Sequence, residues 1–344
     1  MIDNISAQIS QKFRFVSTLS MIAVVFIHAK FIMSRWNACM DTDTMMGRIS
    51  DIVQFSISEM LCRLAVPLFF IISGFFMAYH NDGSIQTYIN KVKSRVRSLL
   101  VPYLIFSVLW LVISMCTNRI EVRGIMDFIL HIFVSPIPFQ FWFLQHLMVL
   151  VLISILLYRL INHFAIPMMT ILGIIYLLDS DIRTGFGGSL FYYGMGMNLC
   201  INPLKEHLGH KKTFICASAV MFVACVVVRF FEFNIDYILY GIANKIMIFF
   251  GVCWFMWWIL LDTATFSTPK WLAMSSGTSF LIFCLHEPLL SFLKNMYLHT
   301  FSAQYEILVG YFILPLVAVL LCFIANHIVK RASLKLYKIL TGGR

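Results

Sequence analysis

Apolar runs of about 20 residues recur along the whole chain, separated by short polar breaks. Each such run is long enough to cross ~30 Å of hydrocarbon. They predict ten helical spans, at 15–33, 53–79, 99–116, 141–162, 165–178, 188–202, 212–229, 237–261, 275–297 and 307–328. The fifth and sixth are short, which local packing or bilayer thinning accommodates. A transmembrane barrel would show alternating segments of ~10 residues instead. The first run follows Lys12 and Arg14, lacks an Ala-x-Ala site and contains His28. It therefore reads as a retained span rather than a signal peptide.

The polar breaks set the expected orientation. With the N-terminus inside, sixteen of the 26 Lys and Arg residues fall on the cytoplasmic side and eight outside, with Arg63 and Lys245 left within spans. That bias fits both termini being cytoplasmic. The fold class is thus an all-α polytopic membrane protein of about ten transmembrane helices. Residues 1–344 form a single transmembrane domain, within which 329–344 is a basic cytoplasmic tail. The expected location is the cell (inner/plasma) membrane, multi-pass. The longest outer loops, 34–52 and 117–140, can each hold a surface helix, and Ile125–Val134 has an interfacial pattern. Arg95 and Arg97 lie in a basic stretch, 88–98, at the entry to the third span. It reads either as a headgroup anchor or as a landing strip for an anionic cytosolic cofactor.

Composition narrows the function classes. The chain is 60% hydrophobic and 12% charged, which excludes a soluble domain. The net charge of +10 would suggest nucleic acid in a soluble protein, but here it is the positive-inside signal and no nucleic-acid partner is expected. Nine scattered cysteines without a CxxC pair give neither a disulfide framework nor a metal site.

What remains unexplained is a set of ionisable residues inside apolar runs. An arginine in such a place costs ~2.5 kcal/mol or more, so it marks a functional site by default. Arg63 is the clearest case. It can pair with Glu59 one turn earlier, or face an internal cavity and hold an anion or a developing oxyanion. His28 ends the run Ser20–His28, where a neutral imidazole can serve as a general base or simply hydrogen-bond between helices. Arg14 precedes it by fourteen residues, and fourteen steps of ~100° leave the two within ~40° of one helical face. His286 and Glu287 stand just before Pro288, which kinks a helix. Lys245 lies eight residues into its span. Trp142 and His146 lie at the start of span four, where aromatics also suit an interface belt.

The order of these segments resembles the integral membrane acyltransferase 3 family. The matching stretches are Val24–His28, Arg63–Phe75 with Pro67 and Ser73-Gly74, Arg97–Tyr103, Phe141–Leu144, Phe191–Gly196 and Ser279–Pro288. The resemblance implies a ten-span core that moves an acyl group, usually acetyl, from acyl-coenzyme A to a hydroxyl of a cell-surface or lipid-linked glycan. Such an enzyme is an O-acetyltransferase with no permanently bound cofactor and with acetyl-CoA or another acyl-CoA as donor. Its partners would be a glycan or sugar acceptor and membrane lipids, with a homo-oligomer left open. His28, Arg63 and His286 are then the catalytic candidates. Arg14, Arg95 and Arg97 are candidates for the coenzyme A phosphates, and Glu59, Trp142, His146 and Lys245 for the substrate channel. Family members carry an arginine eleven residues before the histidine. Here that position is Ser17, and Arg14, about one turn earlier, keeps nearly the same face. On physical grounds alone, a transporter or flippase for a glycan or lipid-linked intermediate is the competing class.

Overall fold

The computed structural model describes residues 7–31, 44–180, 185–203, 216, 219–220, 222–223, 237–261, 266–267, 269 and 276–343. Every secondary-structure element among them is helical. In chain order these are α1 (Ala7–Ala29), α2 (Met45–Phe55), α3 (Ala65–Ala78), α4 (Ile85–Arg95), α5 (Val101–Cys116), α6 (Ile125–Phe133) and α7 (Trp142–His163). They continue with α8 (Ala165–Leu178), α9 (Phe186–Ile201), α10 (Tyr237–Leu261), α11 (Ser276–Leu298), α12 (Gln304–Ala332) and α13 (Leu334–Leu340). Among the described residues, six helical runs are long and apolar enough to cross a bilayer: Gln8–Ala29, Met45–Ala78, Ile85–Cys116, Phe139–His163, Gly241–Leu260 and Gln304–Ala332. The protein is an all-helical, multi-pass membrane protein. Residues 165–178, 188–202 and 275–297 fall on helices α8, α9 and α11, which are not among those six runs, and the stretch 212–229 lies largely outside the described residues.

Two helices begin well before their apolar runs. α1 starts at Ala7, not at Phe15, because Gln8, Gln11 and Lys12 are good helix formers that extend the backbone ladder beyond the greasy stretch. The helix ends at Ala29, so His28 sits in its last turn. α2 starts at Met45, where the Thr44 side chain accepts from the Gly47 amide at 3.1 Å as an N-cap.

Two of the long runs are not regular. Between α2 and α3 the chain makes a π turn, Ser56–Leu61, and then a 3-10 turn, Cys62–Leu64. Between α4 and α5 lies a second π turn, Val96–Leu100. A proline follows each: Pro67 in the first turn of α3 and Pro102 in the first turn of α5. Having no N–H, a proline cannot donate to the carbonyl four residues back, and its ring pushes that carbonyl away. Those carbonyls belong to Arg63 and Ser98. The α-ladder is therefore interrupted beside the arginines that the sequence singles out, and such turns cluster at functional positions.

The helices gather into two compact bodies. The first comprises residues 1–20, 63–92 and 149–273, the second 21–62, 93–148 and 274–344. In the first, α3 and α9 pack backbone to backbone. A Cβ at Gly74 would stand 2.0 Å from the Tyr193 carbonyl oxygen, and one at Gly196 would stand 2.0 Å from that of Ile71. Small residues that permit such approach are a usual device of membrane helix pairs. In the second body, α11 packs on α12, and α12 on α2. The C-terminal residues belong to this body too. Residues 329–332 finish α12, and α13 follows with Tyr337 and Thr341 buried. Gly342, at φ +68°, lies against the Ser98 backbone, where a Cβ would come within 2.3 Å of the carbonyl oxygen.

Candidate active site

Four lysines share one employment, which the sequence reading did not anticipate. Each turns its ammonium onto the last carbonyls of a different helix. Lys12 donates to Trp258 O of α10 at 3.1 Å. Lys91 donates to Met77 O and Tyr79 O at the end of α3, at 2.8 and 2.5 Å. Lys245 donates to Leu177 O at 3.0 Å and also to Asp179 O, closing α8. Lys294 donates to His28 O at 2.6 Å and Lys30 O at 2.9 Å, closing α1. The carbonyls of a helix's last turn lack intrahelical partners and carry its negative end, so a cation there satisfies both demands. In lipid the need is sharper, because no water replaces the missing donor.

Lys294 is the member that touches the predicted chemistry. It is buried, and its ammonium also lies 5.4 Å from the Phe31 ring centroid. The turn that carries His28 is held from the π turn and from α2 as well. The Ser58 hydroxyl donates to Phe26 O at 2.7 Å and shares a 2.8 Å hydrogen bond with the Tyr311 hydroxyl of α12. Gln54 accepts from the Phe31 amide at 2.9 Å and donates to Ser50 at 3.0 Å. Lys294 on α11, Gln54 on α2 and Ser58 on the π turn thus fix the backbone on both sides of His28.

α11 supplies the side-chain neighbour too. The His286 ring meets the His28 ring edge to face, with centroids 5.3 Å apart. His286 is wholly buried. Its Nδ1 lies 2.9 Å from Ile282 O and 3.0 Å from Phe283 O. A carbonyl only accepts, so Nδ1 carries the proton and Nε2 keeps its lone pair. Among the described residues Nε2 has no hydrogen-bond partner. The arrangement offers one half-buried imidazole, on a rigid turn, against a second imidazole whose tautomer is set by the backbone.

Around this pair runs a row of rings: Phe283 packs 6.2 Å from His286, and Phe141 and Phe143 at the start of α7 lie 6.0 and 5.7 Å from Phe283. Trp142 and His146 contact each other, ring centroids 5.2 Å apart. Of the sequence candidates, His28, His286, Trp142, His146, Glu59, Arg95 and Arg97 therefore belong to the second body, and Arg14, Arg63 and Lys245 to the first. Arg14 and Arg97 are exposed, Arg63 is half-buried on its 3-10 turn, and Glu59 is nearly buried on the π turn. Glu59 stands on the π turn Ser56–Leu61 and Arg63 on the 3-10 turn Cys62–Leu64 that follows it.

The chain matches the acyltransferase 3 family, described as an acyltransferase domain, over residues 16–327. It belongs to that family. The protein is an acyltransferase. It is also 23% identical over 364 residues to the succinoglycan biosynthesis protein ExoH of Rhizobium meliloti (strain 1021), covering 98% of this chain and 93% of that protein. No solved structure matches it.

Lys294, Ser58, Tyr311 and Gln54 escaped the sequence reading. The signal for Lys294 was position: a lysine in the last two turns of a predicted span, on the same helix as the His-Glu-Pro motif.

Proposed function

We propose that the protein transfers an acyl group, acetyl as the leading candidate, from acyl-coenzyme A to a hydroxyl of a cell-surface or lipid-linked glycan. The observation that carries this reading is the placement of His28 against His286 on a turn clamped by Lys294, in a chain of the acyltransferase 3 family. The relative's part in succinoglycan biosynthesis supports a glycan as acceptor.

In this reading His28 takes the proton of the acceptor hydroxyl as its oxygen attacks the thioester carbonyl. The tetrahedral intermediate collapses with cleavage of the C–S bond, and the departing thiolate recovers the proton from the imidazolium. The products are an acyl ester and free coenzyme A. The neutral His286 ring beside His28 favours the imidazolium while it exists. Arg63 takes the anion-stabilising role. Arg14, Arg95 and Arg97 are the candidates for the coenzyme A phosphates, which arginine binds through paired N–H donors. The helices beyond the six long apolar runs also cross the bilayer here, making about ten spans, with both termini in the cytoplasm.

Labelled acetyl-CoA supplied to isolated membranes tests the reading. Label should pass to polymeric or lipid-linked glycan only when the protein is present, and cells without it should lose that ester from their surface glycan. Identical glycan acylation with and without the protein contradicts the reading.

A further inference from the structure

Resting on the assignment of Arg95 and Arg97 to the coenzyme A phosphates, we infer that residues 333–343 position the donor site. The last helix, α13, holds the π turn that carries Arg97 through a backbone contact between Gly342 and Ser98. Gly342 acts as a positioning residue, through Arg97 rather than on the donor itself.

Arg97 is exposed on the second π turn, Val96–Leu100, and Arg95 is half-buried at the end of α4. A π turn interrupts the regular ladder that fixes where an α-helix points its side chains. Pro102 weakens the ladder further, because it withholds the amide that would otherwise reach the Ser98 carbonyl. The direction of Arg97 therefore depends on what packs against the turn. Leu99 is buried and anchors one side. Gly342 meets the turn at Ser98. A Cβ at position 342 would lie 2.3 Å from Ser98 O and 2.6 Å from Ser98 Cα, so the two main chains touch with no side chain between them. The Ser98 hydroxyl donates to Arg95 O at 3.4 Å, which ties the same contact to the second arginine.

α13 is constructed to present that glycine. Ser333 caps its start, accepting from the Leu336 amide at 3.2 Å. Tyr337 and Thr341 are buried, and the Thr341 hydroxyl donates to Tyr337 O at 2.8 Å. Lys330, in the last turn of α12, sets its ammonium 5.7 Å from the centre of the Tyr337 ring and so joins the two helices. The chain then passes through two left-handed residues, Gly342 at φ +68° and Gly343 at φ +80°. Their amides donate to Ile339 O at 3.2 Å and Lys338 O at 2.6 Å, which closes the helix internally. The approach to Ser98 therefore serves the π turn rather than the cap. Both sides of the contact belong to the same body.

The test is the dissociation constant of coenzyme A, measured by calorimetry on the full-length protein in detergent, with the melting temperature beside it. Gly342→Ala should weaken binding at least fivefold, while kcat of acetyl transfer in membranes at saturating acetyl-CoA stays within a factor of two. Gly343→Ala carries the same left-handed strain but has nothing within 4 Å, and should leave binding within a factor of two. A stop after Ala332, which removes the segment without crowding Ser98, should weaken binding at least as much as Gly342→Ala. On an Arg97→Gln background, Gly342→Ala should add less than twofold, because the contact acts through that arginine. Equal binding by the Gly342 and Gly343 variants overturns the inference. So does parental binding by the truncated protein, or a full further loss on the Arg97→Gln background. If Arg97→Gln alone binds coenzyme A as tightly as the parent, the donor-site assignment itself fails and takes the inference with it. A loss in Arg97→Gln with none in Gly342→Ala sinks the inference and leaves that assignment standing.

Discussion

The ammonium of Lys294 donates to the backbone carbonyl of His28 across 266 residues of chain, at 2.6 Å. One helix, α11, therefore grips the proposed base twice, through its main chain with Lys294 and through its ring with His286. Charge-assisted hydrogen bonds of this kind contribute roughly 1.5–3 kcal/mol each, and more is lost when one partner is left buried and unmatched. Lys294→Met should lower kcat by at least tenfold while the donor KM stays within a factor of two. Lys294→Arg, which keeps the charge, should recover part of the rate. Steady-state kinetics in membranes of matched protein content check both.

His286→Phe separates packing from chemistry. Phenylalanine can fill the space of the imidazole but offers neither the Nδ1 donor nor the Nε2 lone pair. The fold should survive, judged by thermal unfolding in detergent, and kcat should fall tenfold or more. Full activity in this variant would reduce His286 to a packing residue.

Lys245 poses the opposite case. It looks in the sequence like an intramembrane functional cation, yet its ammonium closes the carbonyls at the end of α8, and its own carbonyl accepts from the Tyr176 hydroxyl at 3.1 Å. Lys245→Met should cost about 1–3 kcal/mol of stability. The melting temperature should drop, and both KM values of the surviving protein should be unchanged. A selective rise in the acceptor KM would return Lys245 to the substrate channel.

The contrast between Lys245 and His28 shows what the sequence could disclose. Hydropathy finds ionisable residues in apolar runs, because the bilayer makes their cost large. It does not separate a cation that caps a neighbouring helix from one that serves a substrate, since both meet the same cost by being paired. Nor could it join His28 to His286: the contact links the end of α1 to the middle of α11, and no local pattern encodes that pairing. Helix starts were missed for a simpler reason. Apolar runs report the stretch in lipid, whereas α1 extends back through the helix formers Gln8, Gln11 and Lys12, and α2 through polar residues behind the Thr44 cap. Pro67 and Pro102 did carry a readable signal, because each forbids a backbone hydrogen bond and each follows an irregular turn.

The close approach of α3 and α9 yields a prediction independent of the site. Gly74→Ala and Gly196→Ala each place a methyl group 2.0 Å from a backbone oxygen, which the neighbour can relieve only by moving its main chain. Overpacking of this sort costs about 1–3 kcal/mol or more. Either variant should reduce the yield of folded protein and its melting temperature. Gly124→Ala, at a position with nothing within 4 Å, should cost less, and only through its φ of +150°.

The most direct test of the account is the rate of acetyl transfer from acetyl-CoA to surface glycan by His28→Ala, in membranes where the variant is as abundant and as thermally stable as the parent. The account predicts a loss of at least about a hundredfold, the usual contribution of a positioned general base. Transfer at the parental rate would show that the imidazole on the last turn of α1 takes no part in the chemistry.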